Sequence, residues 1–206
     1  MISLQIWNRD GNVVETMAER PMADNIPIAF NSCRTGPRSI NWRSDKPAEL
    51  YWAEAQDGGD PSVECSPRDI VYTLKEPFNE SAPKELAKCD YRYNGIVWGK
   101  DDLAILGESW WKNRRARTWI INPEDPSQEP EILFDRSYED SYNDPGTPLT
   151  KRNELGKYTL AFFQREFSPI LVLFSKKSKK KIDSGFEVLP LRWFAFMQVV
   201  PMKILS

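Results

Sequence analysis

Short apolar runs separated by turn residues recur along most of the chain. Four of them lie between residues 93 and 136, at residues 94–99, 103–107, 117–122 and 131–135. The breaks between them are rich in Gly, Asp, Asn and Pro, which favour turns. Runs of about five residues at this spacing predict an antiparallel meander of four strands. A four-stranded meander that recurs along a chain is typical of a β-propeller blade.

The meander has a second copy upstream. The sequence Trp42-Arg-Ser-Asp45 is followed by an apolar run, and so is Trp98-Gly-Lys-Asp101. The two tryptophans are 98 − 42 = 56 residues apart, a little above the ~40–50 residues of common propeller repeats. In each copy we expect a strand that ends on a buried Trp and a turn that the Asp side chain caps.

These patterns predict an all-β fold, a partial and open β-propeller of four-stranded antiparallel blades at residues 1–163. The expected parts are half a blade at 1–20, full blades at 39–90 and 93–136, and the start of a next blade at 147–163. In the first full blade the strands are expected at residues 39–43, 49–55, 69–74 and 85–89.

The pattern changes after residue 163. Residues 164–206 carry a lysine run at 176–181 and apolar stretches broken by proline and charged residues. We expect a divergent tail that is helical or disordered, or that is not genuine coding sequence. Its apolar run at 167–174 is too short to span a bilayer.

The composition excludes several kinds of active site. The chain has no histidine, which removes Ser-His-Asp and Cys-His machinery and histidine-based zinc sites. Cys33, Cys65 and Cys89 lack a metal-binding spacing and read as small apolar fillers. We therefore expect no catalytic residue, no cofactor and no metal. The net charge of −2 predicts no general attraction to nucleic acid or to an anionic membrane.

The sharpest basic cluster is Lys112-Asn-Arg-Arg-Ala-Arg117. Arginine binds a carboxylate through two parallel hydrogen bonds, so Arg114, Arg115 and Arg117 are candidates for binding an acidic substrate. The simpler interpretation is a solvated hairpin tip. Its arginine stems would then lie over Trp110, Trp111 and Trp119.

Five longer stretches carry a resemblance to a known family. They resemble plant chloroplast glutamyl endopeptidases, which belong to the prolyl oligopeptidase family of serine peptidases. The likeness covers about residues 4–159. The stretches are Asn31-Ser-Cys-Arg-Thr-Gly36, Leu50-Tyr-Trp-Ala-Glu-Ala-Gln-Asp-Gly-Gly-Asp60, Ser66-Pro-Arg-Asp-Ile-Val-Tyr72, Arg114-Arg-Ala-Arg-Thr-Trp119 and Ile132-Leu-Phe-Asp-Arg-Ser-Tyr-Glu-Asp140.

The resemblance implies a piece of an N-terminal propeller that lies over an α/β-hydrolase domain and admits only short or unfolded chains. That hydrolase domain would carry a G-x-S-x-G nucleophile elbow. Here Gly107-Glu-Ser109-Trp-Trp111 lacks the second glycine. We therefore expect a substrate-gating fragment of a Glu-preferring endopeptidase that is inactive alone. The alternative is a stand-alone propeller-like module that binds another protein.

The resemblance also bears on location and partners. It implies the chloroplast stroma, although we find no transit peptide in this sequence. Peptide substrates are expected only in the context of a full-length enzyme, and no nucleic acid or membrane partner is expected. A few blades cut from a ring leave edge strands open, so the fragment is expected to self-associate through them.

Overall fold

A computed structural model describes residues 2–20, 26–100, 102–163, 171–175 and 194–198. All regular elements in these ranges are strands, which pair antiparallel into five sheets. None of these sheets closes into a barrel. The predicted fold class, all-β and open with four-stranded antiparallel sheets, is confirmed.

The first strands form a hairpin and then a four-stranded sheet. β1 (Ile2–Trp7) pairs with β2 (Val13–Arg20). The four-stranded sheet follows in chain order, as β3 (Arg38–Trp42), β4 (Glu49–Ala55), β5 (Asp69–Lys75) and β6 (Lys84–Cys89). Each strand pairs with the next along the chain, which is the arrangement that the short turn-bounded apolar runs predict.

The second four-stranded sheet repeats this arrangement. It consists of β7 (Arg92–Trp98), β8 (Ala104–Trp110), β9 (Arg115–Ile121) and β10 (Glu131–Ser137). The observed strands begin or end up to three residues away from the predicted runs, in both directions, because turn residues and apolar side chains do not mark where backbone pairing stops.

The two four-stranded sheets pack face to face. Side chains from alternate positions of β4 and β5 meet side chains of β7 and β8, since successive residues of a strand point to opposite faces. The buried core between the sheets comprises Tyr51, Ala53, Val71, Leu86, Ala87, Cys89, Tyr93, Trp98, Ala104, Leu106 and Ile121.

A third unit covers the other face of the β7–β10 sheet. It contains β11 (Thr147–Pro148), β12 (Thr150–Arg152), β13 (Tyr158–Leu160) and β14 (Phe162–Phe163). Leu160 and Phe162 pack there against Leu103, Ile105 and neighbouring apolar side chains. The β7–β10 sheet is thus covered on both faces.

The tail contributes two more strands. β15 (Leu171–Ser175) pairs with β11, β14 and β16 (Phe194–Gln198). The expectation of a helical or disordered tail is wrong for these two segments. The lysine run at 176–181 lies outside the described residues. The division into domains stays a prediction.

The tryptophan–aspartate repeat behaves differently in its two copies. Trp98 is 3% exposed and faces the neighbouring four-stranded sheet, whereas Trp42 is 43% exposed and meets Phe78 edge-on. The expectation that both tryptophans are buried is wrong, because a strand end is buried only where another sheet covers it. Asp45 accepts hydrogen bonds from the side chain of Arg43 rather than capping the turn. Asp101 lies outside the described residues.

Candidate functional site

Four connecting segments meet at one end of the two stacked sheets. They are the segment 26–37 that leads into β3, the β4–β5 loop at 56–68, the β6–β7 connection at 90–91 and the β8–β9 hairpin at 111–114. Backbone hydrogen bonds join the segment 26–37 to the β4–β5 loop, from Cys33 to Gly59, and that loop to the end of β6, from Arg68 to Cys89. Of the charged side chains that are buried in the described ranges, Asp57, Asp69, Arg92 and Glu108 lie at this end.

Arg92, at the start of β7, is the centre of a buried ionic cluster. Its Nη2 donates to both carboxylate oxygens of Asp57, at 2.8 and 2.7 Å, and its Nη1 donates to Asp69 at 3.1 Å. Its Nε donates to the carbonyl of Asn31 at 2.8 Å. One side chain of the second sheet therefore holds two carboxylates of the first.

The two carboxylates have further donors. Asp69 is fully buried and also accepts hydrogen bonds from the backbone of Tyr93, at 2.6 Å, and from Arg38. Asp57 accepts from the side chain of Arg68 and from the backbone of Gly59, both at 3.0 Å. Three arginines thus surround two aspartates, and buried ions of this kind persist only when their hydrogen bonds are satisfied.

The segment 26–37 is fixed to this cluster through unusual backbone geometry. Asn31 has a φ of 67°, and its side-chain oxygen accepts the backbone N–H of Trp111 at 2.7 Å. A Cβ on Gly59 would lie 2.0 Å from the carbonyl oxygen of Cys33, so only glycine permits this approach. The ring of the exposed Phe30 stacks on Trp111 with centroids 4.2 Å apart.

The three arginines predicted to bind substrate lie together on the β8–β9 hairpin. Arg114 has a φ of 56° and pairs with Glu139 at 3.0 Å, and its guanidinium lies over the ring of Trp111. Arg115 pairs with Asp135. Arg117 lies 3.4 Å from Asp90 and 3.6 Å from Glu108. All three already have carboxylate partners, and their role in substrate binding stays a prediction.

The simpler interpretation, in which the arginine stems of the hairpin lie over its three tryptophans, holds for one of them. Arg114 does cover Trp111, but Trp110 is covered by Arg68, 4.0 Å from the ring centroid. Trp119 donates its indole N–H to Glu108 at 3.0 Å.

Glu108 is a buried carboxylate with specific donors. It is 1% exposed and accepts hydrogen bonds from the backbone of Tyr91, at 2.8 Å, and from Trp119. Removal from water raises the pKa of the Glu108 carboxyl, against the opposing effect of these hydrogen bonds. The adjacent Ser109 is the penultimate residue of β8, on a strand and not on a strand-to-helix turn.

The described residues offer little other chemistry. Burial raises the pKa of the Cys33 and Cys89 thiols, which makes them poor nucleophiles. Within the described ranges no three His, Cys, Asp or Glu side chains are grouped so as to hold a metal ion. In the same ranges, no helix has the length and apolar character needed to cross a membrane.

Reasoning from sequence missed the ionic cluster. Four of its members, Asn31, Asp57, Arg68 and Asp69, lie inside the stretches that carry the family resemblance. Their positions at strand ends and beside a Gly-Gly pair were the available signal. The preference of these residue types for turns accounts for each of them separately. Nothing in the linear pattern links residues as far apart as Asp57 and Arg92, which are separated by 35 positions.

The stacked four-stranded antiparallel sheets place the chain among all-β proteins with a propeller-like open fold. The chain is 49% identical over 164 residues to the "Probable glutamyl endopeptidase, chloroplastic" of Oryza sativa subsp. japonica, which covers 79% of this chain and 18% of the rice protein. It is 51% identical over 164 residues to the protein of the same name from Arabidopsis thaliana, covering 79% of this chain and 17% of that protein.

The resemblance to plant glutamyl endopeptidases is therefore confirmed over about four fifths of the chain. The chain spans less than a fifth of the length of these curated relatives. No family model matches the chain. No solved structure matches it either.

Proposed function

We propose that this chain is the substrate-gating propeller part of a Glu-preferring serine endopeptidase of the prolyl oligopeptidase family. The observation that carries the proposal is the identity of about one half with two proteins named glutamyl endopeptidase. The stacked antiparallel sheets are compatible with a propeller. Proteolysis is the family-level function, and control of access to the cleavage site is the part assigned to this chain.

The hydrolytic step belongs to a separate α/β-hydrolase domain in this proposal. The sequence holds no histidine to act as a base, and Ser109 lies within a strand. A serine nucleophile needs such a base and an exposed turn. The relatives are named chloroplastic, so we place the protein in the chloroplast, and more narrowly in the stroma.

The proposal also predicts association of the isolated chain. β3 and β6 are the edge strands of one four-stranded sheet, and β7 and β10 are those of the other. Unpaired strand edges are templates for pairing with another chain. Sedimentation of the purified chain should show a mass that rises with concentration. A monomer at every concentration would contradict this part of the proposal.

A chimera tests the gating function. Residues of this chain replace the matching segment of the full-length rice relative, and cleavage is measured on a fluorogenic peptide with glutamate before the cleaved bond. The matched control peptide carries glutamine there. We expect the chimera to cleave the glutamate peptide and the chain alone to cleave neither.

Gating itself is tested by measuring whether a folded protein substrate is cleaved. The chimera should leave this folded protein intact. A form of the rice relative that lacks the segment should either degrade the folded protein or itself fail to fold. Hydrolysis by the isolated chain would overturn the proposal. A folded chimera that cleaves folded and unfolded substrates equally would overturn the gating role.

A further inference from the structure

The β1–β2 hairpin is a sheet of two strands, whereas the β3–β6 and β7–β10 sheets have four strands each. A two-stranded hairpin alone is only marginally stable in water, and three or more strands make an independent sheet. Ile2 and Trp7, at the two ends of β1, are 54% and 58% exposed. In the described part of the chain no third strand pairs with the hairpin. The hairpin is therefore two strands short of the other two sheets.

The outer edge of β2 is unsuited to further pairing. Its pairing with β1 is interrupted twice, because Met17 and Val14 are extra residues that have no partner in β1. Bulges of this kind twist an edge away from a straight partner, and charged side chains on an edge strand oppose pairing. β2 also carries three charged residues, Glu15, Glu19 and Arg20. Further strands should therefore add at β1.

The edge of β1 has neither kind of protection. β1 reads Ile2-Ser-Leu-Gln-Ile-Trp7, without a charged residue or a proline, and each of its residues has a partner in β2. The edge strands of the two larger sheets, β3, β6, β7 and β10, each contain at least one charged residue. A regular, uncharged strand with a free edge is a template for strand pairing. β1 is thus the least protected of these edges.

The residue pattern of β1 matches its own antiparallel copy. Residues directly opposite each other in an antiparallel pair lie on the same face of the sheet. When Leu4 lies opposite Leu4 of a second copy, Ile2 lies opposite Ile6 and Ser3 lies opposite Gln5. Apolar side chains then meet apolar ones, and polar side chains meet polar ones. A shift by one residue would place Leu4 opposite Gln5, and the match would be lost.

We propose that two copies of this chain associate through β1, about a two-fold axis at Leu4, into one four-stranded sheet with the strand order β2-β1-β1-β2. A two-fold contact of this type is self-complementary and occupies both free β1 edges, so association through β1 ends at a dimer. This dimer is the specific form of the association predicted with the proposed function, and it requires neither gating nor proteolysis.

Sedimentation equilibrium of the whole chain, combined with charge variants of β1, tests the dimer. We expect the mass to rise with concentration to that of two chains and to stay there. Ser3→Lys together with Gln5→Lys places like charges opposite each other twice, and should weaken dimerisation about tenfold. Ser3→Glu together with Gln5→Lys places opposite charges there and should restore dimerisation. Both side chains are exposed in the single chain, so folding should not change.

Thr16→Lys, at an exposed position of β2, is the control and should leave the dimer intact. A monomer at every concentration would overturn the proposal and assign the β1 edge to strands from elsewhere in a longer chain. Association that neither double variant changes would also overturn it, while the broader prediction of association through strand edges would stand. Equal weakening by the two double variants would contradict the pairing of Ser3 with Gln5.

Disulfide formation locates the two-fold axis. A cysteine at the axis lies opposite its own copy, within the Cα separation of about 4.4–6.8 Å that a disulfide needs. Oxidised Leu4→Cys should therefore give a covalent dimer. Gln5→Cys is the matched control, because it lies opposite Ser3 instead. It should give much less covalent dimer, as should the parent with its three cysteines. Equal cross-linking of the two variants would overturn the axis at Leu4.

Discussion

The two faces of the β7–β10 sheet are held to their neighbours in different ways. Against the β3–β6 sheet, large aromatic side chains meet and Arg92 binds two buried aspartates at one end. Against the third unit, the contact is apolar and depends on Gly99, beside which Leu160 and Phe162 pack. Apolar burial supplies cohesion on both faces, whereas the buried ion pairs of Arg92 cross to the neighbouring sheet on one face.

The ionic and the apolar contacts should differ in how well they tolerate substitution. An apolar interface accepts changes of similar volume, because dispersion and burial are not directional. A buried ionic cluster does not, because removing one partner leaves the others charged and unpaired. The ionic side of the sheet should therefore be the more sensitive to single substitutions.

Asp69→Ala should have the largest effect. It leaves Arg38 and Arg92 without a shared carboxylate and the backbone N–H of Tyr93 without an acceptor. We expect the free energy of unfolding to fall by about 3–5 kcal/mol, as when a buried pair loses one partner. Urea unfolding followed by tryptophan fluorescence measures it. The control, Asp10→Ala in the exposed β1–β2 turn, should leave the midpoint unchanged, and equal losses would refute the comparison.

Gly99→Ala should destabilise the apolar contact between the β7–β10 sheet and the third unit. The added Cβ would lie 2.5 Å from the carbonyl oxygen of Leu103 and 2.8 Å from Cζ of Phe162. Overpacking of this kind costs about 1–3 kcal/mol. The matched control is Gly107→Ala in the same sheet, where the nearest atom is 3.8 Å away. The same unfolding assay applies, and a larger loss at Gly107 than at Gly99 would be inconsistent with the packing described.

Glu108→Gln should change the pH dependence of stability. Because burial raises the pKa of Glu108 above its ordinary value of 4.5, the folded state binds this proton more tightly than the unfolded state. The contribution of Glu108 to stability is therefore full below about pH 4.5 and is lost as the pH rises through the raised pKa. The variant should lack this decline and lose about 1–3 kcal/mol, since Tyr91 and Trp119 donate to different carboxylate oxygens and an amide keeps only one of them.

Urea midpoints of parent and variant across the weakly acidic and neutral range measure this. If the stability of the parent rises relative to that of the variant over this pH range, the predicted direction of the pH dependence is contradicted. The donors that bind the Glu108 carboxylate are the backbone N–H of Tyr91 and the indole N–H of Trp119.

Arg115→Gln should have the smallest effect. Arg115 pairs with Asp135 at the surface, where both side chains are partly exposed. Such pairs contribute only about 0–1 kcal/mol, and salt screens them. Lys112→Gln, on the same hairpin, is the control, and both variants should match the parent in high salt. A loss of several kcal/mol would show that the hairpin belongs to the rigid part of the structure.

Much of the fold could be predicted from the sequence, and little of the site. The four strands of each sheet follow from apolar runs bounded by turn residues, so their positions were predicted to within a few residues. The exposure of Trp42 could not be predicted, since it depends on which sheet covers which strand end. The basic hairpin was found because its arginines are adjacent in sequence, but their carboxylate partners Glu139 and Asp135 lie on the next strand and its following turn, where the register between β9 and β10 decides the pairing.

The strands, their order and the lack of histidine follow from the residues in order, because strand period, turn residues and composition are local properties. The contacts of Arg92 with Asp57 and Asp69, and the buried donors of Arg20 and Arg38 that have no acceptor, arise when the sheets pack. Burial accounts for this difference. Charges and donors acquire their energetic weight when packed sheets remove water from them, and residues far apart in the chain decide where that happens.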